Sequence, residues 1–184
     1  MKIWLFNPFK YIAGAKALVI GWVFMLVTAC IAAFSLTHFD GVIDAHYGLL
    51  TPFGWYVADQ LAAWLPAVLV FYLAGLFFSR SAVRPIDIAG TLALARWPYI
   101  FIAVINLFLP PYVPKDIHHI GPGLILNSLV TIPATVWMIV LLYRAFSTST
   151  NLKGSRGTVI FILALVLAEV LSKFVFYKLY QSFT

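Results

Sequence analysis

Five stretches of about 20 apolar residues, separated by short polar connections, constrain this chain more than any other feature. A hydrocarbon core about 30 Å thick takes roughly 20 residues of helix to cross. The stretches fall at about 15–34, 55–78, 86–109, 124–143 and 158–180. Each is too long and too apolar for a strand of a soluble protein. Backbone groups in lipid must be bonded internally, so helix is the expected form for each. The expected fold is all-α: a polytopic membrane bundle of five transmembrane helices. No connection is long enough to separate two units, so residues 1–184 read as a single transmembrane domain.

Composition agrees. Hydrophobic residues make up 63% of the chain and charged residues only 10%, against about 25% charged in soluble domains. The 16 Phe, 9 Tyr and 6 Trp suit lipid contact and interfacial belts. The net charge of +6 does not point to nucleic acid, because the basic residues lie mostly in connections on one side of the spans. Lys2, Lys10, Lys16, Arg80, Arg84, Arg144, Lys153 and Arg156 stand on that side, against Lys115, Lys173 and Lys178 on the other, eight against three. The positive-inside bias then predicts a cytoplasmic N-terminus and an outside C-terminus.

Residues 1–14 combine aromatics with Lys2 and Lys10, the composition of an interfacial segment with lysines at the headgroups. Val27-Thr28-Ala29-Cys30 has the general form of a lipoprotein cleavage site. The apolar run continues past Cys30, so this single cysteine reads as a small residue inside helix one. Gly14 and Gly21 offer that helix a small face for packing. Thr37–Gly54 is the longest connection, broken by Gly41, Gly48, Pro52 and Gly54. Ser79–Pro85 is tight, Pro110–Pro114 stops helix three, and Ser147–Gly157 is a polar loop.

Charges inside spans are the candidate site. An ionisable side chain near the bilayer centre costs about 2.5–3.5 kcal/mol on insertion scales, so it needs a partner or water. Arg96 in helix three and Glu169 in helix five both fall near the midplane, at a rise of about 1.5 Å per residue. They are expected to meet as a buried ion pair or to share a polar pocket. Asp59, Lys173, Asn106 and Asn127 fall at a common outer depth and could form a second polar layer. Pro66, Pro98 and Pro133 are expected to kink helices two, three and four. The carbonyl freed at Pro98 could accept from the Arg96 guanidinium.

Six further polar residues, His38, Asp40, Asp44, His46, His118 and His119, lie in the two outer connections. Their spacing matches no zinc motif, and they read as solvated or interfacial polarity. No Gly-rich phosphate loop and no nucleophile motif appears. No catalytic residue, cofactor or metal is therefore expected.

Some short motifs carry a resemblance. These are Asn7-Pro8-Phe9, then Ile12-Ala13-Gly14, Lys16-Ala17-Leu18 and Gly21, and later Arg84-Pro85 and Ala95-Arg96-Trp97-Pro98-Tyr99. Together with five spans, they resemble bacterial members of the Yip1 family of membrane proteins. Eukaryotic Yip1-type proteins are associated with prenylated Rab GTPases and vesicle formation, and they carry a longer cytoplasmic N-terminal region. The resemblance implies a multi-pass protein of the cell (cytoplasmic) membrane, with no catalytic residue to carry over. The expected function is non-enzymatic: binding lipids, another copy of itself or other membrane proteins, and organising the bilayer. The alternative is a small transporter or channel subunit using Arg96, Glu169, Asp59 and Lys173.

Overall fold

The computed structural model describes residues 5–48, 50–109 and 122–183. Lys2, the Pro110–Pro114 stop, Lys115, His118 and His119 lie outside them. A 3₁₀ turn at Pro8–Lys10 precedes α1 (Gly14–Ser35). Two short strands follow, β1 (Thr37–His38) and β2 (His46–Tyr47), then α2 (Phe53–Phe78), α3 (Pro85–Ala95), α4 (Tyr99–Asn106), α5 (Pro122–Thr150) and α6 (Gly154–Phe183). Five helical segments are long and apolar enough to cross a membrane, with α3 and α4 together making the third. The bundle is therefore that of a multi-pass membrane protein. All spans but the third leave at least half of their most apolar stretch unburied. Leu69 and Leu73 on α2 and Leu163 and Val166 on α6 are among the exposed apolar side chains, as expected where the solvent is lipid tail.

The third span is the hub. It packs on α1, α2 and α5, while α6 lies mainly against α2. Small residues allow the closest approach. A Cβ on Gly21 of α1 would fall 2.5 Å from the Leu94 nitrogen and 2.6 Å from the Ala93 carbonyl carbon. One on Gly90 of α3 would fall 2.9 Å from the Leu18 nitrogen. Backbones this near gain dispersion contacts that longer side chains would prevent.

Proline acts differently at its three positions. α2 and α5 continue through Pro66 and Pro133. At Pro98 the expected kink is a full break between α3 and α4. Pro98 has no amide hydrogen to donate, and the chain tightens into bonds three residues apart, such as Tyr99 N to Arg96 O at 3.0 Å. The α5–α6 connection is shorter than expected, because α5 remains helical to Thr150. Ser79, the residue that follows α2, donates to the Thr150 carbonyl at 2.5 Å, which places the α2–α3 and α5–α6 turns at one end of the bundle.

The connection after α1 departs most from expectation. Leu36 ends the helix in the left-handed region, at φ 53°. β1 and β2 then pair antiparallel, Thr37 with Tyr47 and His38 with His46. The hairpin tip between them folds back into the bundle: Phe39 and Val42 are each 1% exposed and Asp40 is 7% exposed. Phe39 stacks on Tyr99 of α4 with ring centroids 4.8 Å apart.

Candidate functional site

Arg96 and Glu169 do not pair directly. Arg96 is 3% exposed. Its Nε and Nη2 donate to Gln60 Oε1 at 3.4 and 3.3 Å, and its Nη1 donates to the Val42 carbonyl at 3.2 Å. The carbonyl freed by Pro98 is thus not its acceptor. Glu169 Oε2 accepts from the Ile43 amide at 2.9 Å. The Val42 carbonyl and the Ile43 N–H belong to one peptide unit. In a trans peptide they point in opposite directions. One amide therefore stands between the two charges, oxygen toward the guanidinium and hydrogen toward the carboxylate. Both contacts are charge-assisted, a class worth about 1.5–3 kcal/mol each.

The break at Arg96–Pro98 turns the guanidinium inward, with its Cζ 5.3 Å from the Tyr99 ring centroid. Gly41 makes room for the loop: a Cβ there would collide with the Glu169 carboxylate.

The expected outer layer of Asp59, Lys173, Asn106 and Asn127 is divided, and each part binds the same loop. Asp59, 1% exposed, faces His38 Nδ1 at 2.8 Å from its Oδ2. His38 also stacks on Tyr56, centroids 4.6 Å apart. Lys173 Nζ donates to Asp40 Oδ1 at 2.7 Å and also to Asp44. Asn127 donates to Asn106 at 2.8 Å, and Asn106 donates to Thr37 Oγ1 at 3.0 Å. The reading of His38 and Asp40 as solvated or interfacial polarity is corrected: both are buried, because the charges on α2 and α6 draw them into the bundle.

His46 remains nearer the surface. Its Nδ1 lies 3.6 Å from Asp40 and 3.5 Å from Asp44. The hydrogen bond from His46, with the Lys173 ammonium beside it, holds the Asp44 carboxyl well below the usual carboxylate range. The same hydrogen bond to Asp44, helped by the charge of Asp40, raises the His46 imidazole above its ordinary value.

Asp40, Asp44 and His46 bring three possible ligand atoms within 4.8 Å of one another, close enough for a cation. The Lys173 ammonium already bonds both carboxylates, so it neutralises the charge that would draw a metal. Chemically, the cluster anchors a loop: among the described residues, Arg96, Glu169, Lys173 and Asp59 are each bonded to residues of the α1–α2 connection.

Sequence reasoning missed Gln60, Tyr56 and the Val42–Ile43 amide. The signal available was the tip Phe39-Asp40-Gly41-Val42-Ile43-Asp44, where apolar residues alternate with acids and a glycine in what otherwise reads as a solvated turn. Comparison with family models, curated proteins and solved structures finds no match.

Proposed function

We propose that this chain is a non-enzymatic membrane protein of Yip1-like type that binds lipid or protein partners and organises the bilayer. The observation that carries this reading is the Val42–Ile43 amide between Arg96 and Glu169. It engages the midplane charges within the protein, and the apolar outer faces of the spans are left for lipids or partner helices. The cell membrane is the proposed location, with the basic end of the bundle in the cytoplasm.

The test is reconstitution in vesicles, with chemical crosslinking of the protein to itself and measurement of retained lipids. Self-association or selective lipid retention is expected. Loss of both, with no membrane-protein partner captured by crosslinking in native membranes, overturns the reading.

Transport is the second reading. It is favoured by the gathering of Arg96, Glu169, Asp59 and Lys173 around one loop that could swing outward. Cysteine at position 42 (Val42→Cys, with Cys30→Ser) distinguishes the two. An anchored loop predicts slow reaction with a membrane-impermeant maleimide. Rapid labelling that changes with an added solute supports transport instead.

A further inference from the structure

The end of the bundle opposite the loop holds a second polar site. A cavity of about 520 Å³ there is lined by Lys10, Arg144 and Lys153, with Thr148 and Asn151 among the other residues. That volume lies within the usual range for small-molecule pockets, about 300–1,000 Å³. None of its lining residues is acidic. Lys173, at the other end, has two carboxylate partners, whereas Lys10, Arg144 and Lys153 form no ion pair among the described residues.

The chain builds this arrangement from three separate places. Asn151 at φ 58° and Gly154 at φ 65° turn α5 sharply into α6, which brings Arg144 and Lys153 to one cavity. Lys10 is brought in by the N-terminal segment. There the Trp137 indole donates to the Leu5 carbonyl at 3.0 Å and its ring lies 6.1 Å from that of Phe6, while Phe9 is buried at 2% exposure. Three cations held near one another without a carboxylate repel each other, and an anion that enters relieves the repulsion. Leu5, Phe6 and Tyr11 of the same segment are 41%, 49% and 59% exposed. They are an exposed apolar surface on the segment that carries Asn7 and Lys10 into the cavity lining, where an acyl chain can lie.

We propose that this cavity binds the phosphate of an anionic phospholipid headgroup, with the lipid's chains against that N-terminal surface. The proposal deepens the lipid-binding reading above and rests on it. A phosphate oxyanion accepts charge-assisted hydrogen bonds from Arg144, Lys10 and Lys153. A zwitterionic lipid carries the same phosphate but also a quaternary ammonium, which the three cations repel.

The test uses the full chain in detergent micelles, titrated with phosphatidylglycerol or phosphatidylcholine, with bound lipid counted by native mass spectrometry. Phosphatidylglycerol should be retained about tenfold more tightly. Combining Arg144→Gln with Lys153→Gln should abolish the preference. Arg84→Gln should preserve it, because Arg84 lies outside the cavity at the same end, 3.9 Å from Asp87. If the double variant fails to fold, Lys10→Gln alone should weaken the preference and Arg144→Lys should keep most of it. Equal retention of the two lipids overturns the proposal. An Arg84→Gln loss as large as that of the double variant also overturns it, because charge on the surface as a whole would then explain the binding. Competition by inorganic phosphate at matched concentration would assign the site to a free anion and overturn the lipid assignment. If the preference is absent while crosslinking still shows self-association, only this site falls. If both are absent, the broader reading falls with it.

Discussion

Arg96 and Glu169 illustrate how a direction can matter as much as a charge. Each faces one end of the same peptide dipole. Arg96 is buried and Glu169 half-buried, so Glu169→Gln, which leaves a buried cation less compensated, should cost up to about 3–5 kcal/mol in denaturant unfolding of the micellar protein, and Arg96→Gln, which leaves a half-buried carboxylate, should cost less. Combining the two should cost less than their sum, because no lone charge remains. The swap of Arg96→Glu with Glu169→Arg should not recover stability. The swapped carboxylate would face the Val42 oxygen and the swapped guanidinium would face the Ile43 hydrogen. Full recovery by the swap would indicate a direct pair.

His46 and Asp44 give the loop a pH window. The fold favours charged His46, so its contribution is complete below the ordinary imidazole value of 6.5 and fades as pH rises through its raised folded value. The fold also favours ionised Asp44, so that contribution is complete above its ordinary 3.8 and fades as acid protonates the carboxylate. Melting temperature should therefore be highest between about pH 4 and 6.5 and fall on the alkaline side. In His46→Gln the alkaline fall should be much reduced, as read by thermal unfolding from neutral to mildly alkaline pH.

At the scale of elements, the contact between α1 and α3 depends on having nothing beyond a hydrogen at Gly21 and Gly90. Gly21→Leu would place a side chain against the Ala93–Leu94 backbone and should cost at least about 1–3 kcal/mol, the range for overpacking. Gly54→Ala, where no atom lies within 4 Å of the added methyl, should stay within about 0.5 kcal/mol of the unaltered protein. Equal effects in a thermal-shift comparison would show that the α1–α3 approach does not limit stability. The five spans were legible in the sequence because apolar length alone specifies a lipid-crossing helix. The break at Arg96–Pro98 was legible only as a kink. Proline announces a missing donor, but whether a helix bends or breaks depends on what its freed groups meet.

For the whole molecule, charge is distributed by end. Lys10, Lys16, Arg80, Arg84, Arg144, Lys153 and Arg156 surround the turns at one end, with Asp87 the only acid there among the described residues. Asp40 and Asp44 lie at the other end with Lys173. In spheroplasts, an impermeant thiol reagent should reach cysteine placed at Ser182 but not cysteine placed at Ser81 in a Cys30→Ser background. The reverse pattern would mean that the basic end faces outward.

The number of crossings, the polarity of the two ends and the identity of the costly charges follow from sequence by itself, because each is a local sum over neighbouring residues. The partners of those charges do not. Ile43 lies 126 positions from Glu169, and Val42 lies 54 from Arg96. Local hydropathy cannot tell whether a buried charge will be met by water, by another side chain or by an amide carried in from outside the spans. Here the tertiary structure decided that by folding a hairpin back into the bundle. A single peptide group can serve a cation and an anion at once only when both are already held on its opposite sides.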